Sequence, residues 1–298
     1  MKKPLLTLVL IASTVLSGCD KDRLGQFGSF AAAGTAYVTT FQTFTADAGS
    51  AFISADSATL IVARNQAGNQ IAANASFYLK NIAADDLTLQ DYLANLQKLN
   101  AHAALLGAYF AAITQLTDGK ASAATVADLD SLVDSINTFN PAIEKASFAG
   151  KGVKDYLGIV TTPIVAHFEV KALDAQLVKA APVIDRALSL QEAAVTAIGA
   201  QMKDSLSASL QVQESTNVLN PYVAAGPLPT SWVANRESYL RKNVNLQSAD
   251  SAKAAITSLH KAFAQLISNK KSTINFASLM GDIGTMAGYA AAVKSSTP

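Results

Sequence analysis

Apolar side chains recur at alternating intervals of three and four residues over a long stretch near the start of this chain. This spacing follows the 3.6-residue turn of an α-helix, so it places these side chains on one stripe of a single long helix. The first half of the stripe is aromatic and the second half is mostly alanine, so we expect partner helices to stand closer near the alanines. The stripe consists of Phe27, Phe30, Gly34, Tyr37, Phe41, Phe44, Ala48, Ala51, Ala55, Ala58 and Val62.

Later segments repeat the same spacing and predict further helices. Their stripes run from Leu89 to Ile113, from Val126 to Ile143, from Ile184 to Leu210 and from Ile256 to Ile267, and a last helix is predicted at about Ile274 to Val293. Asp85 and Asp86 precede the second helix as candidate N-caps, because carboxylates accept the free amides of a first turn. Pro141 should kink or end the third helix, and Pro182 suits the first turn of the fourth.

The chain shows neither an extended period-two pattern nor a repeat of fixed length, and half of its residues are apolar. Much of this content is alanine, which favours helix and lets helices approach closely. We therefore predict an all-α fold, an elongated antiparallel bundle of six to eight helices in a single domain over residues 27–298. Gly226, Pro227 and Pro229 mark a loop at 224–231, and residues 230–298 after it are a candidate smaller subdomain.

The first nineteen residues have the composition of an export signal. Lys2 and Lys3 precede an uncharged apolar run from Leu5 to Leu16. At ~1.5 Å per residue this run covers only about 18 Å, which is short for a ~30 Å hydrocarbon core. The next residues read LSGC and end at Cys19, and this motif resembles the lipobox of bacterial lipoproteins.

The lipobox resemblance implies a fate for the N-terminus. It implies that a signal peptide, residues 1–18, is removed and that Cys19 becomes the acylated first residue, on a tether spanning residues 19–26. Several acyl chains would hold the protein on a membrane, facing the periplasm. Asp20 resembles the signal that retains enterobacterial lipoproteins in the inner membrane, and the outer membrane is the alternative.

Charge and cysteine content exclude several classes of protein. The formal net charge is +1, or −1 once residues 1–18 and their two lysines are removed, so the chain lacks the basic surface of a nucleic-acid-binding protein. Cys19 is the single cysteine, so we expect no disulfide and no Cys/His zinc site. We predict that the protein binds no metal and no cofactor. We also predict that no segment after the signal peptide forms a transmembrane helix.

Motifs that indicate catalysis are also missing from the sequence. The histidines are His102, His167 and His260, and none has a metal-ligand or catalytic spacing to another polar residue. Neither a glycine elbow around serine nor a phosphate-binding glycine loop is present. We expect a protein that is not an enzyme. The GTMAG segment, Gly284 to Gly288, predicts close helix packing within the bundle.

Three segments are candidate functional surfaces. Trp232, Arg236 and Tyr239 share one helical face and are residue types that dominate binding interfaces, although Trp232 could instead close the end of the bundle. The aromatic group Phe27, Phe30, Phe41 and Phe44 either packs as core or lines an apolar cavity. The uncharged segment from Tyr156 to Phe168 either forms a buried helix or inserts into a membrane, as in α-helical pore-forming toxins.

These features favour a lipid-anchored helical bundle of the bacterial cell envelope. We expect it to act without catalysis, as a binding, scaffold or immunity/exclusion protein that contacts an envelope protein. The alternatives are a carrier of an apolar ligand in the phenylalanine-lined cavity and a membrane-inserting protein similar in architecture to pore-forming toxins.

Overall fold

The computed structural model describes residues 5–68, 74–118, 123–148, 150–159, 172–246, 249–268 and 274–296, and the described side chains of its first helix begin at Asp22. Nearly all of these residues are helical, and the fold is an all-α bundle of several helices, as predicted. The helices are α1 (Leu5–Ala67), α2 (Ala75–Thr117), α3 (Ala123–Glu144), α4 (Ala172–Glu214), the one-turn α5 (Asn220–Val223), α6 (Trp232–Leu246), α7 (Ala249–Ile267) and α8 (Phe276–Ser296).

Helix α1 is the central element of the bundle and packs against α2, α4, α7 and α8. At ~1.5 Å per residue its 63 residues extend over about 95 Å. The predicted stripe is its buried face from Phe27 to Ala55, whereas Ala58 and Val62 are only partly covered. The helix also runs through residues 19–26, so the predicted tether has helical backbone here.

Helices α1 and α2 form an antiparallel pair that packs tightly at Gly34. A Cβ atom on Gly34 would lie 2.6 Å from the ring of Phe110, so only glycine allows this approach. Helix α2 begins at Ala75, ten residues before the predicted cap. The capping prediction for Asp85 and Asp86 is therefore wrong, because both aspartates lie inside the helix.

Helix α4 is the second central element, and nearly every side chain from Ala187 to Gly199 is buried. It packs against α1, α3, α6 and α7, which cover it on several sides. The helix starts at Ala172, so the prediction that Pro182 occupies its first turn is wrong. Its C-terminal end continues into a π-helical turn, Ser215–Leu219, and then into α5.

The connection after α3 contains the two strands found among the described residues. Strands β1 (Ser147–Phe148) and β2 (Lys151–Gly152) pair antiparallel around Gly150, whose φ of 78° favours glycine. The side-chain amide of Asn95 donates to the carbonyl of Ser147 at 2.9 Å, which fixes this hairpin against α2. A 3₁₀ helix, Val153–Ile159, follows and packs against α4.

Helices α7 and α8 complete the bundle by packing against each other and against α1. Their apolar side chains belong to the same continuous core as those of α1, α2 and α4. Gly284 and Gly288 of α8 face open space, with nothing within 4 Å of a Cβ atom at either position. The close-packing prediction for GTMAG is therefore wrong, and the close contacts between α1 and α2 lie instead at Gly34, Gly49 and Gly107.

Candidate functional site

The four phenylalanines proposed to line a cavity are all buried, and Phe30, Phe41 and Phe44 lie against other aromatic rings. The ring of Phe30 lies edge-on to Phe110, with centroids 5.5 Å apart, and 5.7 Å from Phe263. Phe44 lies 6.4 Å from Phe41 and 6.2 Å from Tyr289. These contacts are typical of a packed aromatic core. A ligand cavity at Phe27, Phe30, Phe41 and Phe44 stays a prediction.

A chain of buried polar side chains crosses the bundle at the level of His102. The Nδ1 atom of His102 accepts a hydrogen bond from the Gln191 amide at 2.8 Å, and its Nε2–H donates to the Asn140 oxygen at 2.9 Å. The Tyr37 hydroxyl lies 3.5 Å from the Gln191 oxygen. Burial lowers the pKa of His102 to about 4, so the imidazole is neutral at physiological pH.

A charged cluster lies beside this chain, around His260. The Nε2 atom of His260 is 2.7 Å from Asp185, and its Nδ1 atom is 3.5 Å from Glu192. Burial by itself would lower the pKa of His260, but the two carboxylates outweigh it and raise the pKa to about 9. Burial likewise opposes ionisation of Glu192, whose pKa is nevertheless lowered by hydrogen bonds with His260 and Thr257.

The two groups form one polar layer, because Gln191 belongs to the first and its neighbour Glu192 to the second. The layer joins α1, α2, α3, α4 and α7 at one height of the bundle. Both ring nitrogens of His260 face carboxylates, and the Thr257 hydroxyl donates to Glu192 at 2.6 Å. Such an arrangement holds an imidazolium in place and fixes the register of the helices, and it leaves His260 no lone pair to act as a base.

The part of the chain that the structure describes includes side chains of the metal-ligating and nucleophilic types. Within it, no group of three His, Cys, Asp or Glu side chains can hold a metal ion. Among the described side chains, the buried Tyr109 hydroxyl has no hydrogen-bond partner, and burial raises the pKa of Tyr109. The Cys19 side chain, His167 and most of the segment from Tyr156 to Phe168 lie outside the described residues.

The end of the bundle remote from residue 19, here called the distal end, is built from four parts of the chain. Residues 52–65 of α1 lie beside residues 201–217 of α4 and its π-helical turn. The first half of α2 contacts the same part of α1. Helix α6 covers the end of α4, where the Trp232 indole N–H donates to the Val218 carbonyl at 2.9 Å.

Exposed apolar side chains are concentrated at this distal end. Of the fourteen large apolar side chains that are exposed in the described part of the chain, only Leu24 and Met280 lie elsewhere. Clusters of exposed apolar side chains mark interaction sites, because soluble proteins otherwise bury such groups. The twelve distal ones are Ile53, Ile61, Phe77, Leu79, Ile82, Leu87, Leu219, Tyr222, Val223, Leu228, Val233 and Leu240.

The helical face predicted from the sequence as a contact surface is only partly exposed in the structure. Trp232 is half-buried and stacks on Tyr222 at 5.7 Å, and Tyr239 is half-buried with its hydroxyl bonded to Glu214. This bond is the main reason that the pKa of Tyr239 is raised. Arg236 is exposed, so of the three predicted contact residues it alone points fully into solvent. Sequence reasoning missed the neighbouring exposed face of α6, which carries Val233 and Leu240.

A groove of about 450 Å³ separates α1 from α4 at the distal end. Its walls include Ile53, Ile61 and Val212, its floor includes Ala58, and no charged side chain lines it. This volume falls within the range of ligand pockets. A second cleft of about 320 Å³ lies between α1, α2 and α4, and polar and apolar side chains both line it; it is called the polar cleft because Asp56 and Asp85 face it. Asp56 faces this cleft, and its pKa is raised by burial and by Asp85 and Asp86.

The fold and these surfaces define an all-α helical bundle with a buried polar layer and an apolar distal end. No family model, no curated protein and no solved structure matches the chain. Among the described helices, none is both long enough and apolar enough to cross a membrane.

Proposed function

We propose that this chain is a lipid-anchored protein of the bacterial cell envelope that acts as a non-enzymatic binding or scaffold protein. The observation that carries the proposal is the concentration of exposed apolar side chains at the distal end. Acylation at Cys19 holds one end of a long bundle at a membrane, and the distal end then presents a docking surface away from that membrane. An immunity or exclusion role is one form of this function.

Two further features support a role without catalysis. The charged groups of the polar layer are paired with one another, which suits a structural purpose. The apolar surface at the tip, formed by Leu219, Tyr222, Val223 and Leu228, is exposed and continuous in sequence with the end of α4. Exposed apolar groups of this size are unfavourable in water, and a partner that covers them lowers the free energy.

The anchor is tested by fractionation and mass spectrometry of the full-length protein. Wild type should be found in the membrane fraction with an acyl mass on Cys19, and the Cys19→Ser variant should lose both the acyl mass and the membrane association. A Cys19→Ser protein that stays firmly in the membrane fraction with its leader intact would contradict the proposed lipid anchor.

The docking role is tested by capture from detergent-solubilised envelopes. The Leu219→Ser, Val223→Ser double variant should lose a protein that wild type captures. Met280→Ser is the matched control, because Met280 is also exposed but lies outside the distal end. Capture of nothing by wild type, including a differently tagged second copy, would contradict a scaffold role.

The groove between α1 and α4 favours a second candidate function, which is binding of an apolar ligand. Native mass spectrometry of the purified chain should then show co-purified lipid, and Ala58→Phe should remove it by filling the groove. Ala46→Phe places the same ring on an exposed position of α1 outside the groove and serves as the control. A lipid adduct that Ala58→Phe leaves unchanged would exclude this groove as its site.

A further inference from the structure

The first turns of α2 lack a buried face. From Leu79 to Thr88 every side chain is exposed, and three of these residues are the large apolar Leu79, Ile82 and Leu87. Helices in proteins owe most of their stability to the packing of one face, so an all-exposed segment with large apolar side chains is incomplete by itself. This segment is therefore the part of the distal end that we most expect a binding partner to cover.

Helix α6 presents a second apolar surface, of opposite charge. Its exposed face carries Val233 and Leu240, with Arg236 between them. Residues 75–91 of α2 carry three aspartates and one lysine, a net charge of −2. Helix α6 carries two arginines, one lysine and one glutamate, a net charge of +2. The two surfaces thus combine an apolar centre with complementary charge, which favours their association and fixes its orientation.

Both surfaces lie at one height of the bundle but on different flanks. Asp85 and Thr88 face Gln201 and Ser205 of α4 across the polar cleft, and α6 lies along the end of that same helix. Helix α2 packs mainly against α1 and α3, with a smaller contact to α4, whereas α6 packs mainly against α4 and α8. Two copies standing side by side with parallel axes would therefore bring α2 of one against α6 of the other.

We propose that residues 75–91 of α2 dock onto α6 of a second copy of this chain. The inference deepens the proposed scaffold function by naming one occupant of the distal end, and its parallel geometry suits chains anchored through their N-termini. The two surfaces differ, so the contact is heterologous and repeats from copy to copy, as a ring or a row. Anchoring on a membrane raises the local concentration of the copies and so strengthens a contact that is weak in solution.

The test is a charge exchange in the full-length protein, followed by light scattering and by cross-linking on vesicles of neutral phospholipid. Wild type should self-associate, and added salt should weaken the association. Asp86→Arg with Asp91→Arg, both exposed and outside the cleft, should abolish it, and so should Arg236→Glu with Arg241→Glu. Mixing these two variants should restore assembly, because each supplies the charge that the other has lost.

Two controls separate this contact from other effects. Asp128→Arg with Asp134→Arg makes the same charge change on exposed positions of α3 and should leave assembly unchanged. Leu87→Ser with Val233→Ser weakens the apolar centre without a charge change and should also prevent assembly. Circular dichroism confirms that each variant keeps the wild-type helix content.

A monomeric wild type on vesicles and in solution would overturn the proposal, as would a mixture of the two charge variants that stays monomeric. The light-scattering results in solution do not depend on Cys19, because light scattering measures the purified protein whether or not it carries lipid. Loss of the anchor or of an envelope partner is thus distinguishable from loss of self-association.

Discussion

His260 should make this protein less stable as the pH rises above neutrality. Its side chain is 11% exposed and lies between Asp185 and Glu192, and its pKa is raised from 6.5 to about 9 in the folded protein. The native state therefore keeps a proton on this ring at pH values where the unfolded chain has released it. The resulting stabilisation is fully present below pH 6.5 and is lost as the pH rises through 9.

The size of the effect follows from the shift in pKa. A difference of one pKa unit corresponds to about 1.4 kcal/mol, so a rise from 6.5 to about 9 stabilises the fold by about 3 kcal/mol. Most of this free energy should disappear between pH 6.5 and about pH 9.5. Burial raises the pKa of Tyr37 and Tyr109, so these tyrosines reduce stability only at higher pH.

Urea unfolding at a series of pH values measures this contribution directly. Wild type should lose about 3 kcal/mol of unfolding free energy over the stated range, whereas His260→Gln should show a flat profile there. The variant should also be less stable at pH 6.5, because it leaves Asp185 and Glu192 without their cation. NMR of the ring protons gives the pKa of His260 itself, and only three histidines need to be assigned.

Parallel profiles for wild type and His260→Gln would refute this reasoning, since the alkaline loss would then belong to another group. A ring titration of His260 near 6.5 would refute it independently, because a pKa at the unfolded value contributes nothing to the pH dependence.

Other predictions concern the core. Wild type should lose about 2 kcal/mol of unfolding free energy between pH 6.5 and about pH 5 in the same titration, because the buried neutral ring of His102 takes up a proton on unfolding. His102→Leu should not show this loss. Gly34→Ala should lower the unfolding free energy by about 1–2 kcal/mol, because its methyl group meets the Phe110 ring, whereas Gly284→Ala on open surface should raise it by about 1 kcal/mol. Tyr109→Phe should raise the melting temperature by removing an unpaired buried hydroxyl.

The helical fold could be read from the sequence because periodicity is a local property. The spacing from Phe27 to Ala55 matches the buried face of α1, and the stripe from Leu96 to Ile113 matches that of α2. Helix starts were predicted less well. Asp85 and Pro182 suit a first turn by chemistry, but both lie well inside longer helices because neighbouring residues also favour helix and extend it.

The polar layer could not be predicted in the same way. Asp185 and Glu192 are seven residues apart on α4, which places them on one face, and this was the only local signal for the cluster. His260 is 75 residues from Asp185 in the sequence, and Asn140 is 38 residues from His102. The distal surface also escaped sequence reasoning, because Val233 and Leu240 look like core residues by type and are exposed only through the way α6 packs.

The sequence by itself determined that the chain forms long helices and which face of each helix is apolar, because both depend on neighbours within a few residues. The tertiary structure decided which faces meet and which remain in water. It surrounds His260 with two carboxylates and leaves the first turns of α2 uncovered, since the packing partner of a face depends on distant segments that a helix's own periodicity does not specify.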